Sequence, residues 1–470
     1  MTIAVTLLLA YSALMVGVGL WLGRRVRGGA DFFVAGRGLS ANLVAATFLA
    51  ANIGASSTVN AAALGYREGL SAWWWNGAAG IGSLLLAFTV APRIWREAAA
   101  FGDFTVGDFL ERHYGGFMRG LVAVLIWIGT LWILAAQLIG VAAVLEVAGG
   151  VRFGAGVLIG ALVALTYFVA GGLLSSAWVN LVQLVVILAG FAMAAPLGVA
   201  IAGGWEAVTA RGGASIDVFA AEGPRSGWRL LFLLGPAFIV SPGLLQKAFG
   251  ARDARAARRG IALNGIVLMV FACAPAIIGL TAAGMYPGLA RADLALPTML
   301  AEAMPPSVGV LALAAVFAAE ISSADAVLFM LSTSASRDLY RGALRPSASD
   351  ASVLRVARAS AVAGAAAAVC LSFVHRSVLD AATLFYSVLV VTLFVPIVGG
   401  VYVRRLRPVD GLASLTGIPV LAFVHVATGG LGYGLISPTI AGVLASAAAT
   451  LASTTLGSGS ATGKAVKGRT

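Results

Sequence analysis

Charge is scarce in this sequence: Asp, Glu, Lys and Arg make up 11% of the 470 residues, whereas 60% are hydrophobic. Soluble domains carry about 25% charged residues, so this composition excludes an ordinary soluble protein. Cysteine is almost absent too, since Cys273 and Cys370 are the only two. Both lie within apolar runs, which excludes a disulfide framework and predicts small buried side chains. The three histidines are scattered without metal-ligand spacing.

Long apolar segments fill the chain instead, and their lengths suit a bilayer, which a helix of roughly 17 to 25 residues crosses. The pattern predicts an all-α polytopic membrane protein with one transmembrane domain, residues 1–455, and a disordered cytoplasmic tail, 456–470. We predict thirteen spans, near 3–22, 40–65, 71–92, 118–147, 154–172, 176–202, 229–249, 260–285, 307–334, 353–374, 378–402, 409–428 and 434–454.

The distribution of Lys and Arg predicts the orientation. With the N-terminus outside, 24 of these residues fall in cytoplasmic segments and 7 in external ones, which accounts for all 31. This agrees with the rule that positive charge stays inside, and it explains the net charge of +12 without a nucleic-acid partner. The cytoplasmic count includes Lys247, at the end of the seventh span. We therefore expect a multi-pass protein of the inner (plasma) membrane whose C-terminus is cytoplasmic and whose first span is a retained helix.

Two of the spans contain helix-breaking residues in mid-membrane. The second has Asn52, Gly54, Ser56 and Ser57 within AANIGASS, and the seventh has Gly235–Pro236 followed by Ser241–Pro242–Gly243. A single break would be an ordinary kink. However, these breaks open two blocks of five spans, 40–202 and 229–402, and matching breaks in two halves indicate a transporter built from inverted repeats.

The ninth span carries a polar island in an apolar run, FAAEISSADA. Ser322 and Ser323 lean over the turn that contains Ala319, so two hydroxyls and the Ala319 carbonyl can converge on one cation. The alternative for the serines is hydrogen bonding to the preceding turn. Glu320 and Asp325 flank them, and either acid is structural or couples transport to protons.

Several motifs together resemble the sodium:solute symporter family, whose fold resembles that of LeuT. The resemblance covers most of the chain. It rests on the following segments: ADFFVAGRGLSANLVAATFLAANIGASS, FTVGDFLERHYG, FVAGGLLSSAWVNLVQLVVILAGF, LLQKAFGARDARAARRG and AAEISSADAVLFMLSTSASRDLYR. The last of these is close to the family's S-[ST]-x-D and Asp-x-Tyr-[RK] pattern. The resemblance implies five spans plus five in inverted repeat, with one extra N-terminal and two extra C-terminal helices.

The resemblance also implies a sodium site at the carbonyls of Ala50, Ile53 and Ala319 and the hydroxyls of Ser322 and Ser323. In sugar-transporting members, Glu-Gln stands where this chain has Ser56 and Ser57, and a Glu stands where it has Asn76. A hexose is therefore not expected. Members with a further sodium site use an Asp where this chain has Asn180, so one sodium per solute is expected.

The solute site is expected between the two breaks. No acidic or basic residue is evident there, so helix N-termini are expected to hold a carboxylate group of an organic acid, amino acid or similar metabolite. Beyond Na⁺ and the bilayer, we expect no organic cofactor and no obligate protein partner. The candidate residues are Ser56, Ser57, Asn60, Trp74, Asn76, Gln137, Ser241 and Tyr386.

These observations favour a sodium-coupled symporter that imports a small organic solute by alternating access. The alternative is a proton-coupled symporter that uses Glu320 or Asp325. A membrane solute sensor is a distant alternative, because no large domain follows residue 456. An intramembrane hydrolase has no support, since no Ser/His or paired-Asp arrangement is evident.

Overall fold

The computed structural model describes residues 33–170, 173–211, 216–220, 226–374, 377–403 and 406–466, together with a few isolated positions before residue 33. In this part of the chain the secondary structure is helical, apart from two isolated β-bridges. The helices are α1 (Ala41–Asn52), α2 (Val59–Glu68), α3 (Trp73–Phe88), α4 (Ala91–Phe101), α5 (Val106–Tyr114), α6 (Gly116–Gly149), α7 (Phe153–Ala170), α8 (Leu173–Ile201), α9 (Trp205–Arg211), α10 (Leu231–Val240), α11 (Pro242–Phe249), α12 (Ala254–Phe271), α13 (Cys273–Met285), α14 (Ala295–Thr298), α15 (Pro306–Thr333), α16 (Asp350–Val374), α17 (Val378–Tyr402), α18 (Pro408–Ser414), α19 (Gly417–Ala427) and α20 (Pro438–Val466).

Nine helical segments among the described residues are long and apolar enough to cross a bilayer, or ten if one bent pair counts as a single span. Helices suit this environment because they pair backbone N–H and C=O groups internally where no water is present. The protein is therefore a multi-pass α-helical membrane protein, as the sequence predicts. The count of thirteen stays a prediction, because the span expected near 3–22 lies outside the described residues.

Polar caps mark several helix starts at the ends of apolar segments. Ser40 Oγ accepts from the Leu43 N–H at 3.5 Å, and Asp253 Oδ1 accepts from the Ala256 N–H at 2.6 Å. Thr105 and Asp108 form a reciprocal capping box before α5. Such caps satisfy the N–H groups that a helix start leaves unpaired, so these residues fix where the helices begin.

Both predicted breaks are present, although the second is shorter than expected. Residues 53–58 separate α1 from α2, and Ile53 there has extended dihedral angles (φ −96°, ψ 94°). In the seventh span the helix continues through Gly235–Pro236 and breaks at Ser241, where φ is −57° and ψ is 118°. Pro236 is accommodated inside α10, so only the second of the two predicted disruptions in this span ends a helix.

Glycines bring the second half of the broken second span into backbone contact with α13. A Cβ atom at Gly279 of α13 would lie 2.0 Å from the Ala62 carbonyl oxygen of α2. A Cβ atom at Gly65 of α2 would lie 2.5 Å from the Ala276 carbonyl oxygen. Small residues let membrane helices pack this closely, and here they clamp α2 behind the break.

The structure differs from the sequence analysis at the cysteines and at the C-terminal end. Cys273 and Cys370 are free and exposed, so the prediction that both are buried is wrong. Each cysteine lies on the side of its helix that faces away from the core of the bundle. An apolar run does not distinguish the two sides, because apolar residues suit both the core and the surroundings of a membrane helix. The last helix, α20, extends to Val466 and so includes most of the segment expected to be a tail.

The contact between α2 and α13 predicts the effect of one methyl group. Gly279→Ala should lower the melting temperature of the purified protein, because overpacking against a backbone carbonyl costs about 1–3 kcal/mol. Gly120→Ala is the matched control, since its added Cβ would meet only the Ala343 Cβ at 3.7 Å. Equal melting temperatures for the two variants would show that α2 and α13 can separate freely.

Candidate functional site

The two breaks face one small cavity in the middle of the bundle. Its polar lining comes from both broken spans, α6, α15 and α17, and its open space is about 60 Å³. Ligand pockets usually measure about 300–1,000 Å³, so this cavity is small and must widen to admit a solute. The polar residues that line it are Asn52, Ser56, Gln137, Ser241, Lys247, Ser323 and Tyr386.

Side chains from other helices hold the first break in place. The Ala55 N–H donates to Gln137 Oε1 of α6 at 2.8 Å. A Cβ atom at Gly54 would lie 2.3 Å from Ser323 Cβ, so only glycine lets the break approach α15 this closely. Thr58 Oγ1 donates to the Gly54 carbonyl at 3.0 Å and lies 2.7 Å from Glu320 Oε1. The break is therefore a fixed structure that carries backbone carbonyls into the membrane interior.

The serine pair of α15 meets the end of α1, which leads into this break. Ser322 Oγ donates to the carbonyls of Ala319 at 3.0 Å and Ala50 at 3.4 Å. Ser323 Oγ donates to the Ala51 carbonyl at 3.1 Å. The predicted Ser322 hydroxyl thus lies beside two of the predicted carbonyls, those of Ala50 and Ala319, whereas Ser323 contacts Ala51 and not the predicted Ile53. Neutral oxygens gathered in this way suit a hard monovalent cation.

Glu320 lies beside this cluster and is fully buried. Its Oε1 pairs with the Thr58 hydroxyl, whereas its Oε2 has no hydrogen-bond partner among the described residues. A Cβ atom at Gly140 would lie 2.9 Å from Oε2, so α6 closes over the carboxyl group. This acid therefore fastens α15 to the start of α2, next to the Ala319 carbonyl.

Lys247 is the functional candidate that sequence analysis missed. It lines the cavity, it is 3% exposed, and its Nζ donates to the Thr47 carbonyl of α1 at 3.0 Å. The sequence places Lys247 at the end of the seventh span and predicts no basic residue in the solute site, whereas the structure shows Lys247 in the cavity lining. The break at Ser241 is the signal that could have revealed it, because Gly243 and Lys247 are four residues apart and share a face of α11.

The solute candidates separate into two groups. Ser56, Gln137, Ser241 and Tyr386 line the cavity. The other four do not line it. Ser57 donates to the Asn52 carbonyl, and Asn76 Nδ2 donates to the Ser57 carbonyl at 2.8 Å, so both brace the break. Trp74 Nε1 donates to the Val218 carbonyl at 2.8 Å in the connection between α9 and α10, and Asn60 is fully buried.

Asp325 lies on α15 just beyond the serines and is 5% exposed. It is the acidic side chain that acts electrostatically on Lys247. Together these residues form a buried pair of opposite charges between α11 and α15. Asp325 is outside the cavity lining, so the charge presented to the cavity is that of Lys247.

An ion-pair cluster joins the loop helix α5 to the segment that follows α15. Arg119 contacts Asp108 at 2.8 Å, Glu111 at 2.5 Å and Asp338 at 3.3 Å. The Thr105 hydroxyl donates to Asp338. Two of the sequence motifs, FTVGDFLERHYG and SRDLYR, therefore meet in one network that ties span nine to the connection between spans three and four.

Arg37 makes a second connection on the same side of the protein. Its guanidinium donates to the carbonyls of Asp103 at 2.7 Å, Ala98 at 3.0 Å and Phe249 at 3.3 Å. Burial raises the pKa of the Asp103 carboxyl above its usual value, although its bonds to Arg112 oppose the shift. Arg37 thereby anchors the end of α11, on which Lys247 lies.

Comparison with known proteins agrees with this architecture. The model of the sodium:solute symporter family matches residues 32–417. The sodium/glucose cotransporter of Vibrio parahaemolyticus is 27% identical over 399 residues, which are 75% of this chain and 71% of that protein. The sodium/pantothenate symporter of Escherichia coli (strain K12) is 26% identical over 365 residues, 71% of each chain.

Solved structures share the fold. A Na⁺-coupled sialic acid symporter in a substrate-bound outward-open state has a TM-score of 0.79, with 17% identity and 96% coverage of both chains. Mhp1, a nucleobase-cation-symport-1 family transporter in a closed conformation, has a TM-score of 0.53 and 14% identity, covering 89% of this chain and 92% of that one. The described helices therefore adopt the LeuT-like arrangement that the sequence predicts.

The contact between Glu320 and Thr58 predicts a contrast between two substitutions. Glu320→Gln keeps the shape and can still pair with the Thr58 hydroxyl, so its melting temperature should stay near that of the unmodified protein. Glu320→Ala should destabilise by about 2–4 kcal/mol, because it leaves a cavity and removes a buried hydrogen bond. The exposed Glu302→Ala is the control. If Gln destabilises as much as Ala, the fold requires the charge of Glu320 rather than its shape.

Proposed function

Because the chain belongs to the sodium:solute symporter family, we propose that it imports a small organic solute with sodium by alternating access. It is a transporter rather than an enzyme. The proposed sodium ligands are the carbonyls of Ala50, Ile53 and Ala319 and the hydroxyls of Ser322 and Ser323.

The observation that carries this assignment is the contact between the serine pair and the end of α1. Ser322 Oγ lies 3.4 Å from the Ala50 carbonyl oxygen and 3.0 Å from that of Ala319. Three of the five proposed oxygens therefore lie together, and a small outward movement of the hydroxyls would make room for an ion. Without several carboxylates in the set, the ion is held weakly enough to leave, which a transport cycle requires.

Sodium in this position would link the two moving parts of the transporter. Its ligands belong to α1 on one side and α15 on the other, so binding stabilises the state in which these helices meet. One charge crossing 100 mV yields about 2.3 kcal/mol, and each tenfold sodium ratio adds about 1.4 kcal/mol. Together these drive accumulation of an uncharged solute by about two to three orders of magnitude.

The solute is proposed to occupy the cavity beside this ion, in contact with Ser56, Gln137, Ser241 and Tyr386. The Vibrio relative is named for glucose, the Escherichia coli relative for pantothenate, and the structural neighbour for sialic acid. With serines at 56 and 57 and Asn76 turned toward the break, we favour an organic acid or amino acid over a hexose.

We propose a stoichiometry of one sodium per solute and a single transmembrane domain built from repeats 40–202 and 229–402. The stoichiometry follows from Asn180, a neutral residue where a further sodium site would need an acid. The proposed location is the cell inner membrane, with the N-terminus outside and the C-terminus in the cytoplasm, as the distribution of Lys and Arg favours.

Proton coupling through Glu320 or Asp325 is a second candidate, and one observation favours it. Glu320 is fully buried, and its Oε2 has no hydrogen-bond partner among the described residues, as expected of a group that exchanges a proton. This alternative requires uptake that follows a pH gradient in the absence of sodium.

The sodium assignment predicts a specific defect in proteoliposomes. Uptake should vanish when choline replaces external sodium. Ser323→Ala should raise the sodium concentration for half-maximal uptake about tenfold, because it removes one of the proposed ligands; a tenfold change corresponds to about 1.4 kcal/mol of binding free energy. Ser332→Ala is the matched control, because its hydroxyl bonds the Phe329 carbonyl of its own helix. Unchanged uptake in choline, or uptake driven by a pH gradient alone, would reject sodium coupling.

The proposed orientation is tested by labelling single cysteines after Cys273 and Cys370 are replaced by Ala. A membrane-impermeant maleimide should label Ala301→Cys in intact cells, because this exposed position lies in the connection between α13 and α15, which is proposed to be external. Ser347→Cys, exposed in the connection before α16, should react only after permeabilisation. The reverse pattern would invert the topology.

A further inference from the structure

The central cavity contains one charge among the described residues that line it, the ammonium group of Lys247. The other polar groups there are hydroxyls and amides. An ammonium group buried in the membrane interior is costly and is retained where it pairs or binds something. The sign of this charge therefore bears on which solute the cavity accepts.

The same end of the cavity also contains the start of a helix. α11 begins at Pro242, directly after the break at Ser241, and no side chain caps it. The first N–H groups of a helix have no intrahelical partner, and they carry partial positive charge. Gly243 and Leu244, which supply two of these groups, line the cavity together with Lys247.

The geometry of α11 directs both features to one place. Gly243 and Lys247 are one turn apart on the same face, and a helical side chain leans toward the N-terminus of its helix. The Lys247 ammonium group thus approaches the face that carries the free N–H groups. Backbone N–H groups at a helix start, supported by a lysine, form an arrangement that binds anions.

Two neighbours of Lys247 leave donor capacity for a ligand. The ammonium group has three N–H donors, of which one bonds the Thr47 carbonyl at 3.0 Å. Asp325 acts on Lys247 electrostatically but does not line the cavity. In this structure Asp325 offsets the charge of Lys247 from outside the cavity. The side of the ammonium group that faces the cavity remains available to a second anionic group.

We propose that the transported solute is a monocarboxylate, and that its carboxylate group binds Lys247 and the N-terminal amides of α11 at the inner end of the cavity. This inference rests on the proposed function and specifies its substrate class. Gln137, Ser56 and Tyr386, at other parts of the lining, contact the remainder of the solute and select among carboxylates.

A structural role for Lys247 is the rival explanation, since its bond to Thr47 joins the inner halves of both broken spans. The two roles predict different effects of the ligand's charge on binding. A lysine that only joins helices changes stability without distinguishing a carboxylic acid from its amide. A lysine that binds the solute discriminates between them.

The test measures thermal stabilisation of the purified full-length protein in sodium chloride and in choline chloride. The ligands are short monocarboxylic acids and amino acids, each paired with its primary amide, together with neutral sugars and polyols. A ligand that binds the folded state raises the melting temperature. At least one acid should stabilise the protein in sodium, and its amide should not.

Three variants complete the experiment. Lys247→Met should weaken binding of that acid roughly 10- to 100-fold, as expected for loss of a charged hydrogen bond, and should abolish the preference for acid over amide. Lys247→Arg should keep the preference. Arg258→Met removes an exposed positive charge from α12 and should change neither quantity. If Lys247→Met does not fold, the preference for acid over amide in the unmodified protein and in Lys247→Arg decides between the two roles of Lys247.

Different failures have different meanings. Equal stabilisation by an acid and its amide, a preference that survives in Lys247→Met, or stabilisation by a neutral sugar or polyol but by no acid would overturn the carboxylate proposal. The sodium mechanism would survive these results. By contrast, stabilisation by an acid that is equal in sodium and in choline would reject sodium coupling and leave the assignment of Lys247 intact.

Discussion

The need to satisfy backbone polar groups in a medium without water governs this structure. A helix interrupted at residues 53–58 exposes carbonyl and N–H groups where each unpaired group costs several kcal/mol. The protein supplies Gln137 to Ala55, Thr58 to Gly54 and the two serines to the end of α1. Gly54 permits the close approach on which these contacts depend. Among the groups that hold the break, the two serines are also the ones proposed to bind sodium.

This constraint also explains why the contacts of the site cross between helices. A broken span cannot position itself, so its two halves are held separately. α1 is joined to α15 by the serines and to α11 by Lys247, whereas the start of α2 is joined to α15 by Glu320 and to α13 by glycine packing. A ligand that alters any one of these junctions changes the position of a half-helix relative to the others, which is the movement that alternating access requires.

Sequence reasoning identified the features that depend on local chemistry. Pro242 and Gly54 favour helix breaks, and Ser322 and Ser323 stand together on one helix, so the breaks and the serine cluster were predictable. Pro236, which stays inside α10, shows that a proline alone does not decide where a helix ends. The roles of residues that depend on where a side chain points were not predictable. Trp74 and Asn76 follow the break closely in sequence, yet Trp74 turns to the Val218 carbonyl and Asn76 to that of Ser57. Lys247 falls at the cytoplasmic end of the span predicted at 229–249, and hydropathy does not show that its side chain reaches the cavity.

If both proposals hold, the binding of sodium and the binding of the solute are expected to depend on each other. A cation beside Ser323 and an ammonium group at Lys247 would share the lining of one small cavity, and like charges in a medium of low dielectric constant repel. A carboxylate group between them lowers that repulsion, so each ligand strengthens the binding of the other by the same factor. The pair would then cross as a neutral unit, driven by the sodium gradient and not by the membrane potential. A single positive charge in the cavity would thus set both the substrate class and the driving force.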